Sequence, residues 1–417
     1  MDRSSEILLH QAEAFSNAIL KQRLNQYGLN NIAKLELFLW DLEMFMQIQR
    51  IIGNKVVLKG GAAVQFYLPI DCQRSSVDID MICFVSKDEI EETIHQIEDR
   101  FKADDEVFRF RLHKPEKPQT SLPLLTYYVN VPSNCKLVEL ATGAEHPPKP
   151  IQEIKIEFLL SKSPPPIYEC SCPQIFAVKT NQTYQILPLD NLLADKLTTL
   201  GPNTIGIPNN RADEQIKQLY DIDALITWNI NNINLKKVRD AYLIRAELET
   251  QVRGIEFDIA EIFKDVENQL EELALIDFPI NTEYQKRIND FQSLYLKRSL
   301  NRNIAGWAIV GKKLIILLQL LKEDENKIKV MENLYRLEKK LDFNIVTGPA
   351  KGQVIKRFKE SFLKEFESYS RVPINQIKGK HQKRIFWELL SIYNMVDIDN
   401  WVHEFFRNQN LAGHIER

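Results

Sequence analysis

Cysteine is scarce in this chain. Its five residues, Cys72, Cys83, Cys135, Cys170 and Cys172, are odd in number and scattered, which excludes a small disulfide scaffold and suits a reducing compartment. Only Cys170 and Cys172 stand close together. One intervening residue is too short for a zinc knuckle, and no second His or Cys pair follows at a suitable interval. An excess of either charge is also missing: 54 Lys plus Arg face 57 Asp plus Glu, a net charge of -3. Any contact with nucleic acid must therefore be local rather than spread over the whole surface. Long apolar runs are absent. The nearest, residues 314–321, is bracketed by Lys312, Lys313 and Lys322 and reads as a buried helix rather than a membrane span. The polar N-terminus lacks the apolar core of a signal peptide. Together these absences lead us to expect a cytoplasmic protein that does not engage a membrane. The seven histidines form no ligand pair at helical spacing, and His381 and His403 read as surface or packing residues. No nucleophile elbow accompanies them. Gly348-Pro349-Ala350-Lys351-Gly352 lacks the Gly-Lys-Ser/Thr ending of a P-loop.

What is present is the composition of a globular protein. The 417 residues, 44% hydrophobic and 27% charged, bury enough surface to fold without metal or disulfide and suggest two or three domains. Helical spacing of Leu35, Leu39, Leu42, Phe45, Met46 and Ile48 predicts a helical segment over 1–52. A β-prone run at 55–58 leads into Gly60-Gly61 and a short helix that Pro69 stops. Strands are expected at 77–85, 107–112, 124–131 and 154–160, with a helix over 87–101 capped by Ser86. The proline-rich stretch 145–150 reads as a loop, and Pro164-Pro165-Pro166 is expected to end the strand region. Helices are expected at 189–200 and 211–228. Beyond the Asn-rich link at 229–234 the pattern is mostly helical. The expected organisation is an N-terminal helical segment (1–52), an α/β domain with a mixed sheet (53–230) and a helical C-terminal domain (231–417).

The chemistry concentrates in two stretches, Leu58-Lys59-Gly60-Gly61-Ala62-Ala63 and Arg74-Ser75-Ser76-Val77-Asp78-Ile79-Asp80. A strand that runs into two glycines and then a helix lets backbone approach a ligand and offers N–H groups to phosphate. Asp78 and Asp80, two apart on a strand, share one face, while Val77, Ile79 and Met81 face a core. Adjacent carboxylates repel each other, and a divalent cation relieves the repulsion. Mg²⁺ takes one or two carboxylates together with phosphate oxygens and water. In Ile154-Lys155-Ile156-Glu157-Phe158 the apolar residues share one face, so Lys155 and Glu157 share the other. If that strand lies beside the Asp78/Asp80 strand, Glu157 completes a triad of acids. Otherwise it is an exposed acid on an amphipathic strand.

Gly-Gly followed by Arg-x-Ser-x-Asp-x-Asp resembles the nucleotidyltransferase superfamily, and within it the AbiEii/AbiGii-type toxins that include the MenT toxins. Leu192-Leu193-Ala194-Asp195-Lys196-Leu197 is similar to the family's lysine-bearing helix, and Leu219-Tyr220-Asp221-Ile222 to its later acidic motif. The matches lie between Lys59 and Asp223. The resemblance implies a polymerase-β-like α/β (α+β) domain that transfers a nucleoside monophosphate from an NTP (ATP, GTP or CTP) to an acceptor. It implies an RNA acceptor, most directly a tRNA 3′ end, and the toxin role in a toxin–antitoxin or abortive-infection system with an antitoxin partner. It implies Asp78, Asp80, Glu157, Lys196 and Asp221 as catalytic residues. Asp78 and Asp80 would hold Mg²⁺, while Lys59, Gly60, Gly61, Arg74 and Ser76 would bind nucleotide.

The chain departs from the family pattern at several points. Ala62 stands where Thr or Ser is usual, Lys217-Gln218 replaces the first acid of the later motif, and the loop between Lys196 and Asp221 is longer than usual. Glu157 matches the wider superfamily better than this subfamily. Without the motifs, Lys196 would read as a solvated helix lysine, and Asp221 and Asp223 as exposed helix acids. The rival functions are transfer to a protein or small-molecule hydroxyl, and a degenerate nucleotide-binding module without turnover. Lys351, Lys356, Arg357, Lys359, Lys378, Lys380, Lys383 and Arg384, interleaved with Phe358, Phe362, Phe386 and Trp387, suit either an RNA contact or a solvated basic face.

Overall fold

A computed structural model describes residues 7–104, 106–114, 123–135, 151–341, 383–384 and 387–388. The described residues pack as two compact units. The first is drawn from Met1–Lys196 and Asn289–Asn301, the second from Leu197–Ile288 and Arg302–Arg417. The division therefore falls earlier in the chain than the Asn-rich link at 229–234.

The first unit is built on a seven-stranded mixed sheet. Its strands are β1 (Val56–Lys59), β2 (Asp78–Cys83), β3 (Phe110–Leu112), β4 (Leu124–Pro132), β5 (Ile151–Leu160), β6 (Tyr168–Ser171) and β9 (Thr183–Ile186), in the order β3-β4-β5-β2-β1-β9-β6. A separate hairpin pairs β7 (Gln174–Ile175) with β8 (Val178–Lys179). β2 lies antiparallel to β1 and parallel to β5, and β1 is parallel to β9. Ile79, Met81, Ile156 and Phe158 are fully buried, so one face of β2 and β5 is core and the other is left for polar side chains. The helices of this unit include α1 (Asn17–Tyr27), α2 (Ile32–Ile52), α3 (Gly60–Gln65), α4 (Lys87–Phe101) and α5 (Leu189–Leu197). α4 begins at Ser86 with a complete capping box to Glu89, worth about 1 kcal/mol.

α2 is buried almost throughout and packs on β1, β2 and β5. Its buried acids are mostly satisfied. Glu36 accepts from Ser133 Oγ at 2.9 Å and the Asn134 N–H at 2.6 Å. Glu43 accepts from the Leu9 and His10 N–H groups and meets His10 Nδ1 at 2.6 Å. The two acids thereby pin the entry to the chain and the end of β4 to this central helix.

The second unit contains α6 (Ala212–Asn229), α7 (Leu235–Arg253), α8 (Ile259–Ala274), α10 (Ile304–Lys322) and α11 (Ile328–Leu341). A further helix, α9 (Thr282–Tyr295), begins in the second unit and ends in the first. α10 is the hub of the second unit and packs on α6, α7, α8 and α11. Gly311 allows this: a Cβ there would stand 2.6 Å from the Ala274 backbone nitrogen. Among the described residues, α10 has the length and apolar composition to cross a membrane, and most of it is buried inside the unit. The run read from sequence at 314–321 is thus the second half of one longer core helix.

Two expectations need correction. The strand region does not end at Pro164-Pro165-Pro166, because β6 and β9 follow and β9 extends the main sheet beside β1. The strand expected at 107–112 shortens to Phe110–Leu112, since Phe108 adopts a positive φ of 60° that breaks the extended run. The loop at 145–150, His381, His403 and the Gly348–Gly352 stretch lie outside the described residues, as does most of the basic C-terminal cluster. Of that cluster, Arg384 is buried and bonded to Asp277 and Glu388, Trp387 is fully buried, and Lys383 pairs with Glu338. Arg384 and Trp387 are thus packing residues rather than an RNA contact, while Lys383 keeps exposed surface beside Glu338.

Candidate active site

β1 ends at Lys59, and the chain turns into α3 through Gly60, whose φ is +70°. A side chain there would be strained, and it would also have no room. A Cβ on Gly60 would stand 2.1 Å from Asp80 Oδ2, and one on Gly61 would stand 2.8 Å from Arg74 Nη2 and 3.0 Å from Ser76 Oγ. The glycines are therefore the floor on which Asp80, Arg74 and Ser76 rest. Arg74 and Ser76 are themselves buried, with the Arg74 N–H donating to Gln65 Oε1 on α3 and Nη1 to the Ser75 carbonyl. The two stretches singled out in the sequence meet here.

The strand register arranges the polar face in rows. Lys59 pairs with Asp80, Asp80 with Glu157, and Glu157 with Thr126. In the adjacent row Asp78 pairs with Lys155 and Lys155 with Tyr128. β5 thus lies beside β2, and Glu157 stands next to Asp80. Lys155 Nζ pairs with Glu157 at 2.8 Å, and Thr126 Oγ1 donates to Glu157 at 3.3 Å. Lys59 Nζ lies 3.1 Å from Asp195 Oδ1.

These contacts separate the acids. Burial is the main force on Asp80, and the Glu157 charge adds to it, while Lys59 opposes both. The result is a carboxyl pushed up to about 7. Burial acts the same way on Glu157, but Lys155 and the hydrogen bonds from Lys155, Asp80 and Thr126 overcome it and hold that carboxyl below its ordinary value. Without a cation, Asp80 is therefore the carboxyl of the pair that takes up a proton more readily. A divalent cation at Asp80 replaces that proton and relieves the same repulsion, so the donor set fits such an ion. Among the described residues no three His, Cys, Asp or Glu side chains form a ready metal cage. An ion here would complete its shell with ligand oxygens and water, the habit of Mg²⁺.

Lys196 lies in the last turn of α5 and is only 3% exposed, so it is not a solvated helix lysine. Asp221 is fully buried on α6, in the second unit. Asp223 is also buried and pairs with Arg302 Nη1 at 2.7 Å, which makes it a structural ion pair. Neither is the exposed helix acid that a reading without the motifs would give.

Two features escaped the sequence reading. The first is Asp195, the partner of Lys59. The second is Asp41 on α2, 1% exposed, with neither carboxylate oxygen hydrogen-bonded. Burial, reinforced by the Asp78 and Asp80 charges, holds its carboxyl well above the usual aspartate range. The available signal was a lone acid inside Leu39-Trp40-Asp41-Leu42, an apolar helical run.

The profile of the family described as "Nucleotidyl transferase AbiEii toxin, Type IV TA system" matches residues 46–298. The chain belongs to that family. The AbiEii match spans the whole mixed sheet from β1 to β9 together with α6 to α9, and it takes in both stretches that build the glycine floor. This AbiEii-family chain is accordingly a nucleotidyltransferase, the toxin of a type IV toxin–antitoxin system, with a mixed-sheet domain followed by helices. Among solved structures it is similar to MenT4, a nucleotidyltransferase toxin from Mycobacterium tuberculosis H37Rv, at 15% identity and a TM-score of 0.36, over 57% of this chain and 74% of that one. No curated protein matches it.

Proposed function

We propose that this toxin transfers a nucleoside monophosphate from an NTP to the 3′ hydroxyl of an RNA, with tRNA as the acceptor class that the family resemblance implies. In this reading Gly60 and Gly61 cradle the triphosphate, with Arg74, Ser76 and Lys59 around it. Asp78 and Asp80 hold Mg²⁺, which supplies charge neutralisation at the reacting phosphate. Glu157, fixed by Lys155 and Thr126, orients Asp80. Lys196 neutralises triphosphate charge, and Asp221 orients lysine or substrate. The acceptor oxygen bonds to the α-phosphorus, the bond from that phosphorus to the bridging oxygen breaks, pyrophosphate leaves with the electron pair, and the hydroxyl proton passes to water. Catalysis is positioning and electrostatics rather than covalent attachment to the enzyme. We place the reaction in the cytoplasm, with a cognate antitoxin protein restraining it.

One observation carries this reading: the Gly60 floor sits directly under Asp80, which joins the phosphate cradle to the acids. The missing hydroxyl at Ala62 removes one contact but leaves the backbone N–H groups. The test supplies purified protein, Mg²⁺, each α-labelled NTP in turn and total RNA, with Asp80→Asn as control. Label on RNA with the wild type alone supports the proposal. Label on protein instead moves the acceptor to a side-chain hydroxyl. NTP binding without transfer to any acceptor favours the degenerate module.

A further inference from the structure

The polar face that carries Asp78 and Asp80 does not stop at β5. Register carries one row on from Asp78 through Lys155 and Tyr128 to Arg111 on β3. His113, just past β3, donates its N–H to the Thr126 carbonyl at 2.8 Å, and its ring meets the Tyr128 ring edge-on at 5.8 Å between centroids and 77° between planes. Arg111 and His113 are exposed and Tyr128 is half-buried. The opposite face of the same strands is core, with Val129, Tyr127 and Ile156 buried. The outer strands thus present an aromatic pair and two cations level with the catalytic acids.

Position gives this platform its use. β2 has two neighbours in the sheet. On the β1 side lie Gly60, Gly61, Arg74 and Ser76, the nucleotide's ground in the reading above. On the β5 side lies the row that leads to Tyr128, two strands from Asp78, or about 10 Å at ordinary strand spacing. An acceptor whose hydroxyl reaches the acids while a triphosphate fills the β1 side lies across β5 and β4. We propose that Tyr128, braced by His113, stacks a base of the acceptor, and that Arg111 and Lys155 meet its phosphates, so that β3–β5 form a platform for a single-stranded RNA end. Sheet aromatics flanked by cations are a general solution for unpaired bases, because every base has a face to stack and the backbone is anionic. Arg111 is held by Glu153 at 2.5 Å and by Asn130 at 3.2 Å, and Lys155 by Glu157 at 2.8 Å. Both cations keep exposed surface, Arg111 more than Lys155, so a phosphate would meet them in competition with Glu153 and Glu157. The inference rests on the proposed RNA acceptor, and it specifies which residues hold that acceptor.

The experiment separates the platform from the chemistry. A short fluorescent single-stranded RNA with a free 3′ hydroxyl is titrated, without NTP, into wild type, Tyr128→Leu and Tyr128→Phe. NTP affinity and thermal midpoint are measured alongside. Loss of one stacked base weakens binding about 5- to 160-fold, so Tyr128→Leu is expected to lose RNA affinity in that range. Tyr128→Phe is expected to stay near wild type, with NTP affinity and thermal midpoint unchanged in both. Arg111→Gln is expected to lower the salt dependence of RNA binding. Wild-type RNA affinity in Tyr128→Leu overturns the proposal. So does equal loss in Tyr128→Phe, a parallel loss of NTP affinity, or transfer to a protein acceptor that Tyr128→Leu leaves intact. Failure of nucleotidyl transfer itself shows in the labelling assay and leaves this titration readable.

Discussion

Gly60→Ala perturbs the joint between cradle and acids, since the three atoms nearest the added Cβ all belong to Asp80. Its cost has two parts. An alanine at φ +70° pays about 1–2 kcal/mol of backbone strain. Its Cβ would also stand 2.1 Å from Asp80 Oδ2 and 2.9 Å from Asp80 Cβ and Cγ, so the carboxylate must retreat by about 1 Å. A displacement of that size at a reacting centre costs on the order of 100-fold in rate. For a unit of this size the strain alone lowers the thermal midpoint by about 2–8 °C. Gly28→Ala is the matched control. Its φ is +61°, and nothing lies within 4 Å of the added Cβ, so it pays the same strain without touching the site. Label transfer per folded molecule and thermal midpoints are measured for both. The expectation is a midpoint drop in both, at least as large in Gly60→Ala because of the added overlap, and an activity loss only in Gly60→Ala. Wild-type activity in Gly60→Ala refutes the claim that Asp80 rests on this glycine, and equal activity loss in Gly28→Ala refutes the attribution to Asp80.

Three further expectations follow from the charges. Because Asp80 is raised to about 7 by burial and then Glu157, the cation-free native state holds a proton that the unfolded chain releases. Stability therefore falls as pH rises from the ordinary aspartate range to 7, and a divalent cation restores it. Calorimetric Mn²⁺ titration is expected to show affinity rising about tenfold per pH unit below 7 and levelling above, and a flat profile contradicts this. Asp41, also raised, has the same sign, so Asp41→Asn is expected to gain stability over wild type at pH 8 relative to pH 4, and parallel denaturant midpoints at the two pH values rule it out. Burial works against the Asp223 charge, but Arg302 holds that carboxyl below its ordinary value. Arg302→Ala strands the charge at a cost of about 3 kcal/mol, the low end for a buried pair because Arg302 keeps some water. That deficit is expected to shrink as pH falls through the aspartate range, and a constant deficit contradicts the assignment.

The site was legible in the sequence where chemistry and periodicity agree. Gly60-Gly61 and Asp78-x-Asp80 declare a turn and a two-sided strand, and Ser86 with Glu89 declares the start of α4. The apolar alternation around Glu157 fixed its face, and only the parallel pairing of β5 with β2 brought it to Asp80. β6 and β9 were hidden because each is four residues long, and β6 follows a run of prolines while β9 follows the short β7–β8 hairpin. They are held as strands by pairing with distant chain rather than by local preference. Asp41 and Asp195 were illegible for a related reason. A lone acid on a helix carries no sign of what the sheet brings against it, and Lys196 reads as a surface lysine until α5 is packed.

In the proposed reaction Asp78 and Asp80 hold a cation for a triphosphate lying on Gly60 and Gly61. A crystal structure with Mn²⁺ and a non-hydrolysable NTP analogue tests it most directly. The expected result is the cation bound by Asp78 and Asp80, with the triphosphate over the two glycines within reach of Arg74 and Ser76. A nucleotide seated elsewhere in the chain, or a cation bound without either aspartate, contradicts it.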